Sequence, residues 1–457
     1  MKKTNKKGFT IVELVIVIAV IAILSAVLIP TFSSIIKNAR INADTQVVRN
    51  MNTSLSADEA LNGKATDFGK VRDTLYADGY VLANLNPTTD GWFYVWEKDS
   101  NQMLLVTEEY KVHYPQEMKD DTPDASWYFA VTTTQIGNEI KADLPSVNVV
   151  VLGNTSSSVA ESLTAGGTQT IYVDESIKFD GNSSALVVDK AGSDITIDLG
   201  DSTLEATDAV NVIPVQVTGD STLNVSGGKF VGSGEIDSAS QGKTVQVSLS
   251  SKNGAELNVE NTEFTLSVPA EELGSNEGGI LASVSNDATA TLKNVKATIH
   301  NGSFVGLYEG GANVVLDNCQ ASLTCTDGRA VIFFGNQYGS TIENVVTVKS
   351  GSYSGYWAAW FNQGGVLNIE GGDFTCFDYS GLRSSDKGIS LGGSNNVEFF
   401  NLSVANFVIT ITGGTFQGVD YQDITEEQWV GLCRNRVAGK TLQVTGAGTD
   451  TVVIKLV

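Results

Sequence analysis

One fragment recurs through the C-terminal two-thirds of the chain and constrains its fold more than any other feature. LNVSGGKF ends at Phe230, LNVENTEF at Phe264, TLKNVKA at Ala297, VLDNCQA at Ala321, TIENVVT at Thr347, LNIEGGDF at Phe374 and TITGGTF at Phe416. The anchors lie 34, 33, 24, 26, 27 and 42 residues apart, and Leu204 extends the series by one step. Periods of this length signal stacked units rather than one closed sheet. Each repeat is most simply one coil of a parallel β-helix. Five residues before the anchors stand Val225, Val259, Leu292, Leu316, Ile342, Ile369 and Ile411. Two residues earlier come Leu223, Leu257, Val314, Leu367 and Ile409. In strands of period two these columns face the same side and would stack inside the coil. Three residues before the anchors stand Gly227, Asn261, Asn294, Asn318, Asn344, Gly371 and Gly413. That places a turn former at one point of every coil, where stacked amides can bond from rung to rung.

Composition fits short strands joined by tight turns, with 46 Gly against 7 Pro. Acidic residues outnumber basic ones 52 to 29, which argues against nucleic acid and anionic lipid surfaces as partners. The four cysteines, Cys319, Cys325, Cys376 and Cys433, have no zinc-type spacing, and His113 and His300 are the only histidines. A zinc site or a histidine-based triad is therefore not expected. A Cys319–Cys325 disulfide after export and free buried thiols are equally compatible with the sequence.

The N-terminus imposes a second constraint. Phe9 to Ile29 is 21 residues with a single charge, Glu13, enough helix to cross the roughly 30 Å hydrocarbon core. Lys2, Lys3, Lys6 and Lys7 precede it, so the N-terminus stays in the cytoplasm and the rest is sent outward. No small-x-small cleavage pair lies in the stretch, so ordinary signal peptidase cutting is not expected. The basic leader ending in Gly8, then Phe9-Thr10-Ile11-Val12-Glu13-Leu14 and an apolar run, resembles a type IV pilin or type II secretion pseudopilin. The resemblance implies that a prepilin peptidase cuts after Gly8 and N-methylates Phe9, and that the apolar helix then packs with other pilin-type subunits. A bare carboxylate inside a bilayer costs about 2.5–3.5 kcal/mol, so Glu13 either snorkels to the headgroups from the helix end or takes a partner. The new α-amino group of Phe9 on a neighbouring subunit is the one implied.

Beyond Pro30 the residues Ile35, Ile36, Ala39, Ala43, Val47, Met51 and Leu55 continue an amphipathic helix to about Asn62. A short helix at Asp67 to Ala77 and two strands, Trp92 to Glu97 and Met103 to Thr107, complete a small head, with Trp92, Tyr94 and Trp96 assigned to its core. The expected organisation is α+β and pilin-like at first, then all-β. It runs as a leader at 1–8, the long helix at 9–62, a head at 63–125 and a connecting segment at 126–144. A parallel β-helix solenoid follows at 145–418, with a C-terminal cap at 419–457. The segment SSSVAESLTAGG before the first coils resembles the N-terminal cap of pectin-lyase-like, right-handed β-helices. Thr425-x-x-Gln428 marks a helix running to about Val437.

Two surface columns carry the functional expectations. Four residues before the anchors stand Glu260, Lys293, Asp317, Glu343 and Glu370. Stacked Asp317, Glu343 and Glu370 would suit Ca²⁺ or paired carboxylates, and no other cofactor is expected. In the preceding strand Leu307, Phe333 and Trp360 align as an inward set, which turns Tyr308, Phe334 and Phe361 outward, with Trp357 nearby. Such a stripe suits sugar rings or a protein partner. The leading expectation is a non-enzymatic subunit, membrane-inserted by one helix before assembly and then part of a cell-surface pilus or pseudopilus. As a minor or tip subunit it would display the β-helix for adhesion to a glycan or a host or cell-surface protein. The alternative is a tethered polysaccharide lyase or hydrolase, for which the β-helix supplies only Arg329 and Arg383 as arginines.

Overall fold

A computed structural model of the chain describes residues 10–80, 86–132, 148–153, 166–173, 176–178, 186–206, 215–233, 247–267, 279–324, 330–335, 342–376 and 397–457. Gly8, Phe9, Cys325, Arg329, Arg383 and the helix expected just before Gly166-Gly167 lie outside the described residues. The described residues divide into two compact units, one running to Ala130 and the other comprising Val131, Thr132 and those from Asn148 onward.

In the first unit, helix α1 spans Ile11–Asn62 and runs through Pro30 without a break. Its buried stripe is Asp44, Val48, Met51 and Leu55. Spacings of four, three and four keep these residues on one face. The stripe starts later than the periodicity suggests: Ile35 and Ile36 are more than half exposed, because they continue the apolar N-terminal part rather than the face that meets the head. Helix α2 (Phe68–Ala77) begins at Asp67, whose Oδ1 accepts the Lys70 amide at 3.0 Å.

Four antiparallel strands, β1 (Phe93–Glu97), β2 (Gln102–Val106), β3 (Val112–Tyr114) and β4 (Trp127–Thr132), pair in the order β3-β2-β1-β4. The segment expected to be a connection at 126–144 thus opens with the fourth strand, which pairs Trp127 with Glu97 and Phe129 with Val95. Trp92, Tyr94 and Trp96 are buried, and Phe68 meets Trp96 edge-on at 6.2 Å.

Two polar side chains fasten α1 to this unit. Asn52 donates to the Met103 carbonyl at 2.9 Å and accepts its amide at 2.6 Å, so one side-chain amide satisfies both backbone groups of a β2 residue. The buried Asp44 carboxylate accepts from the amides and hydroxyls of both Thr88 and Thr89, at 2.7–3.0 Å. A buried carboxylate is tolerable when its lone pairs are filled in this way.

The second unit is a parallel β-helix of three sheets. The first sheet advances from Asn148–Gly153 and Thr168–Val173 through Asp194–Asp198, Thr222–Ser226, Glu256–Glu260, Thr289–Lys293, Asn313–Asp317, Asn344–Val348 and Gly365–Ile369 to Phe407–Ile411. The second sheet stacks Leu204, Phe230, Phe264, Ala297, Ala321, Tyr353, Phe374 and Phe416 in one inward column. Rings in this column stack at 4.8 Å for Phe230–Phe264 and at 5.2 Å for both Tyr353–Phe374 and Phe374–Phe416. The third sheet runs from Leu186–Val188 to Cys433–Asn435.

One coil is read differently from the sequence. Its anchor is Tyr353 and not Thr347, since Ala321 pairs with Tyr353 and Tyr353 with Phe374. Consequently Val348 occupies the inward place expected for Ile342, which is 55% exposed. Asn344 leaves the turn ladder as well. It is a fully buried strand residue whose Oδ1 accepts the Ala312 amide at 3.0 Å.

The ladder itself forms at the other coils. Asn318 donates to Asn294 at 2.8 Å and Asn294 to Asn261 at 3.0 Å, all three at φ of 51–55°. That left-handed turn explains why these positions take only Asn or, at Gly227, Gly. Beyond Asn318, the Ser350 hydroxyl accepts its amide at 2.9 Å in the place where sequence reasoning puts Asn344.

The coils end in antiparallel pairing. Val452–Leu456 runs against Phe407–Ile411 and carries Leu442–Thr445 beyond it, while Thr415–Phe416 turns back on Val419–Asp420. This ends the propagation of parallel coils that an open edge would invite. Helix α3 (Glu426–Gly431) starts in a Thr425/Gln428 capping box and buries Trp429 against Phe416 at 5.0 Å. It stops well short of Val437 because Cys433–Asn435 is drawn into the third sheet beside Phe400–Leu402.

Candidate functional site

The two places that could carry function are the start of α1 and the outer faces of the β-helix. From Ile11 to Ile36 the large apolar side chains point outward on all sides of α1 and are about half exposed or more. A helix apolar all round is a membrane span or an element buried by other helices. Among the described residues this is the one helix long and apolar enough to cross a membrane.

Glu13 is the acid of its first turn. Its Oε2 accepts from the Thr10 amide and hydroxyl, both at 2.8 Å, and its own amide donates to the Thr10 hydroxyl at 3.3 Å. This is a capping box, which satisfies amide groups that the helix start otherwise leaves unpaired. Sequence reasoning missed it, although Thr10-x-x-Glu13 is its signature. In the single subunit, therefore, the Glu13 carboxylate is occupied by its own helix start, one residue from Phe9.

The expected acid column does not form. The register aligns Glu260, Lys293 and Asp317, and its continuation places Lys349 between Asp317 and Glu370. Signs alternate along the column, Lys293 meets Glu260 at 2.7 Å, and the Ser350 hydroxyl donates to Asp317 at 3.2 Å. The Glu260 carboxylate, with Asp317 behind it, raises Lys293 above the usual lysine range. Glu343 falls outside the column with its misaligned coil. Asp317, Glu343 and Glu370 are thus not a stacked trio for Ca²⁺ or for acid–base work.

Cys319 is a free, buried thiol, 3.1 Å from the Leu292 carbonyl, and burial pushes it up to about 11. Of the two alternatives the sequence leaves open, Cys319 is found as the free buried thiol; Cys325 lies outside the described residues.

The aromatic stripe departs from expectation at Phe334 and Phe361, which face inward, and at Trp357, which is nearly buried, whereas Leu307 is inward and Tyr308 lies on the outer side as expected. Leu307 pairs with Phe334, Phe334 with Phe361 and Phe361 with Leu402, and Phe334 and Phe361 are 0% exposed, stacked at 4.3 Å. They are core. The outward column is Gly306, Phe333, Trp360, Asn401 and Arg434. Adjacent aromatic pairs, Phe333-Phe334 and Trp360-Phe361, make the two faces look alike in sequence, so a one-residue slip went undetected.

Tyr308, Phe333, Trp360, Trp357 and Tyr356 form a chain of rings along the outer side. Centroids are 6.0, 5.2, 5.7 and 4.6 Å apart in that order, at tilts of 59–81°. Trp357 is 6% exposed, and its Nε1 has no hydrogen-bond partner. Neither Nδ2 nor Oδ1 of the fully buried Asn401 has one either. A buried polar group left unpaired costs about 1–3 kcal/mol. Three such atoms beside one ring chain mark it off from the rest of the coil surface.

Comparison with protein families matches residues 3–29 to the prokaryotic N-terminal methylation motif. No curated protein and no solved structure matches the chain. The motif and the bare apolar helix together support a type IV pilin- or pseudopilin-like processed subunit. They imply a membrane-anchored precursor, cut by a prepilin peptidase, that assembles with other pilin-type subunits into a surface fibre.

Proposed function

We propose that the chain is a minor or tip subunit of a type IV pilus or secretion pseudopilus, and that its β-helix binds a glycan or a cell-surface protein without turning it over. The observation that carries this reading is the combination of an N-terminal helix bearing the methylation motif with a β-helix unit far larger than the head that precedes it. Subunits of a helical fibre repeat at short intervals around the packed N-terminal helices. A cargo of this bulk in every subunit would crowd its neighbours, whereas one at an end or at low copy would not. The outward ring chain supports binding, since aromatic side chains supply large contact area at low entropy cost.

The test is the copy number in the fibre. Quantitative mass spectrometry of sheared fibres is expected to find this chain far below the copy number of the principal subunit. An equimolar chain would overturn the minor or tip assignment.

A further inference from the structure

The unpaired polar atoms beside the third-sheet rings are buried, but the outer face of the second sheet is open to solvent. It carries a cleft of about 440 Å³ across four coils, from Lys296–His300 through Cys319–Thr324 and Gly351–Gly355 to Asp373–Cys376. That volume falls in the range of about 300–1,000 Å³ found for small-molecule sites. We infer that the cleft holds an uncharged polysaccharide lying along the coil axis, bound by the hydroxyls of Thr298, Ser322, Ser354 and Thr375 and by the Gln320 amide. This deepens the binding reading above and rests on it.

The strand register builds the cleft. Thr298, Ser322, Ser354 and Thr375 are backbone-paired in succession, so one outward hydroxyl repeats on each coil at the strand spacing of about 4.8 Å. Two residues earlier on the same strands run Lys296, Gln320, Ser352 and Asp373. The short hydroxyl column forms a floor, and the longer Lys296, Gln320 and Asp373 side chains stand along one side of it. All of these outward residues are exposed or half-buried, whereas Ala297, Ala321 and Tyr353 between the two columns point inward and are buried.

This lining selects the class of ligand. A protein partner is held by apolar or aromatic anchors or by an open strand edge, and the cleft presents neither, since the two middle strands are paired on both sides. A Ser or Thr hydroxyl donates once and accepts twice, so it can meet a sugar hydroxyl in either role. Ser354 donates to Ser322 at 3.4 Å, a long bond that leaves both oxygens able to accept from a ligand. A glycan offers hydroxyls on every unit, and an extended chain can place successive units on successive coils.

Charge selects against acidic glycans. Lys296 is paired with Glu263 at 3.6 Å, which leaves Asp373 as the uncompensated charge of the cleft, and the whole chain carries −23. A polyuronate would meet that field without a spare cation, and a neutral chain meets no such barrier.

The test is isothermal titration calorimetry on the full chain, in a detergent without a sugar headgroup, with cellohexaose, mannohexaose, laminarihexaose and hexagalacturonate. At least one neutral probe is expected to bind and hexagalacturonate is not. Ser322→Tyr fills the middle of the cleft from an outward, half-buried position and should abolish that binding while leaving the melting temperature close to that of the wild type. Thr298→Val and Ser354→Ala each remove one hydroxyl and should weaken the probe by about fivefold. Thr291→Tyr, at an outward position of the first sheet, should leave affinity unchanged. If Ser322→Tyr melts early, the two hydroxyl deletions are read instead. Absence of binding by every neutral probe, preference for hexagalacturonate, wild-type affinity in the cleft variants, or an equal loss in Thr291→Tyr would overturn the inference. If the chain is then still a low-copy fibre component, the minor-subunit reading stands and only the glycan assignment falls.

Discussion

Phe361→Ala should destabilise the β-helix by about 3–5 kcal/mol, the range for emptying a buried aromatic site. The ring is fully buried, lies 4.3 Å from Phe334 and meets Phe407 at 5.2 Å on the next coil. Removing it takes away a ring stack in addition to its own burial, and neighbours fixed by backbone pairing on both sides can close little of the gap. The shift in urea midpoint of the second unit reads this directly. Had the strand stood one residue out of register, Phe361 would lie on the outer face and its loss would be worth less than about 1 kcal/mol. Trp360→Ala is the internal comparison, and its half-buried ring should cost the fold much less than Phe361.

Glu13 carries the other large effect. Replacing it by Ala removes a capping box and a charge together; Gln keeps a capping oxygen and removes only the charge. Membrane insertion should survive both, since a neutral side chain crosses more readily than a carboxylate. Incorporation into fibres should fall by about tenfold or more in both, because breaking a buried ion pair on one side leaves the other charge uncompensated. Sheared-fibre yield against membrane-bound precursor gives the ratio. If Gln assembles normally while Ala does not, capping is the whole role of Glu13 and the intersubunit pairing with Phe9 is wrong.

Much of the fold could be read from the chain because its signals are strictly local. The Asn261, Asn294 and Asn318 turns need a residue that accepts positive φ, and the columns through Val225, Val259 and Leu292 have the period of a strand. The coil around Tyr353 could not be read in the same way. TIENVVT offers an apolar residue and an Asn at the right spacing, yet Asn344 sits inside a strand and Ile342 faces water. Only pairing with the coils on both sides reveals that VTVKSGSY is the true repeat. The misplaced anchor put Glu343 into the acid column, whereas Lys349 is the residue that belongs there. The aromatic stripe failed for a related reason, since alternation carries no information where neighbouring positions are both large and apolar. Asn401 was missed because an Asn in FFNL has no local signature. What marks it is an unsatisfied amide, which appears only when Trp360 and Arg434 are placed on either side.

The proposed fibre role depends on an N-terminal helix that is cut and methylated before assembly. Mass spectrometry of the mature N-terminus tests that most directly. The expected mature chain begins at Phe9 with a methylated α-amino group; an intact Met1, or a chain cut near Ser25, would rule out pilin-type processing.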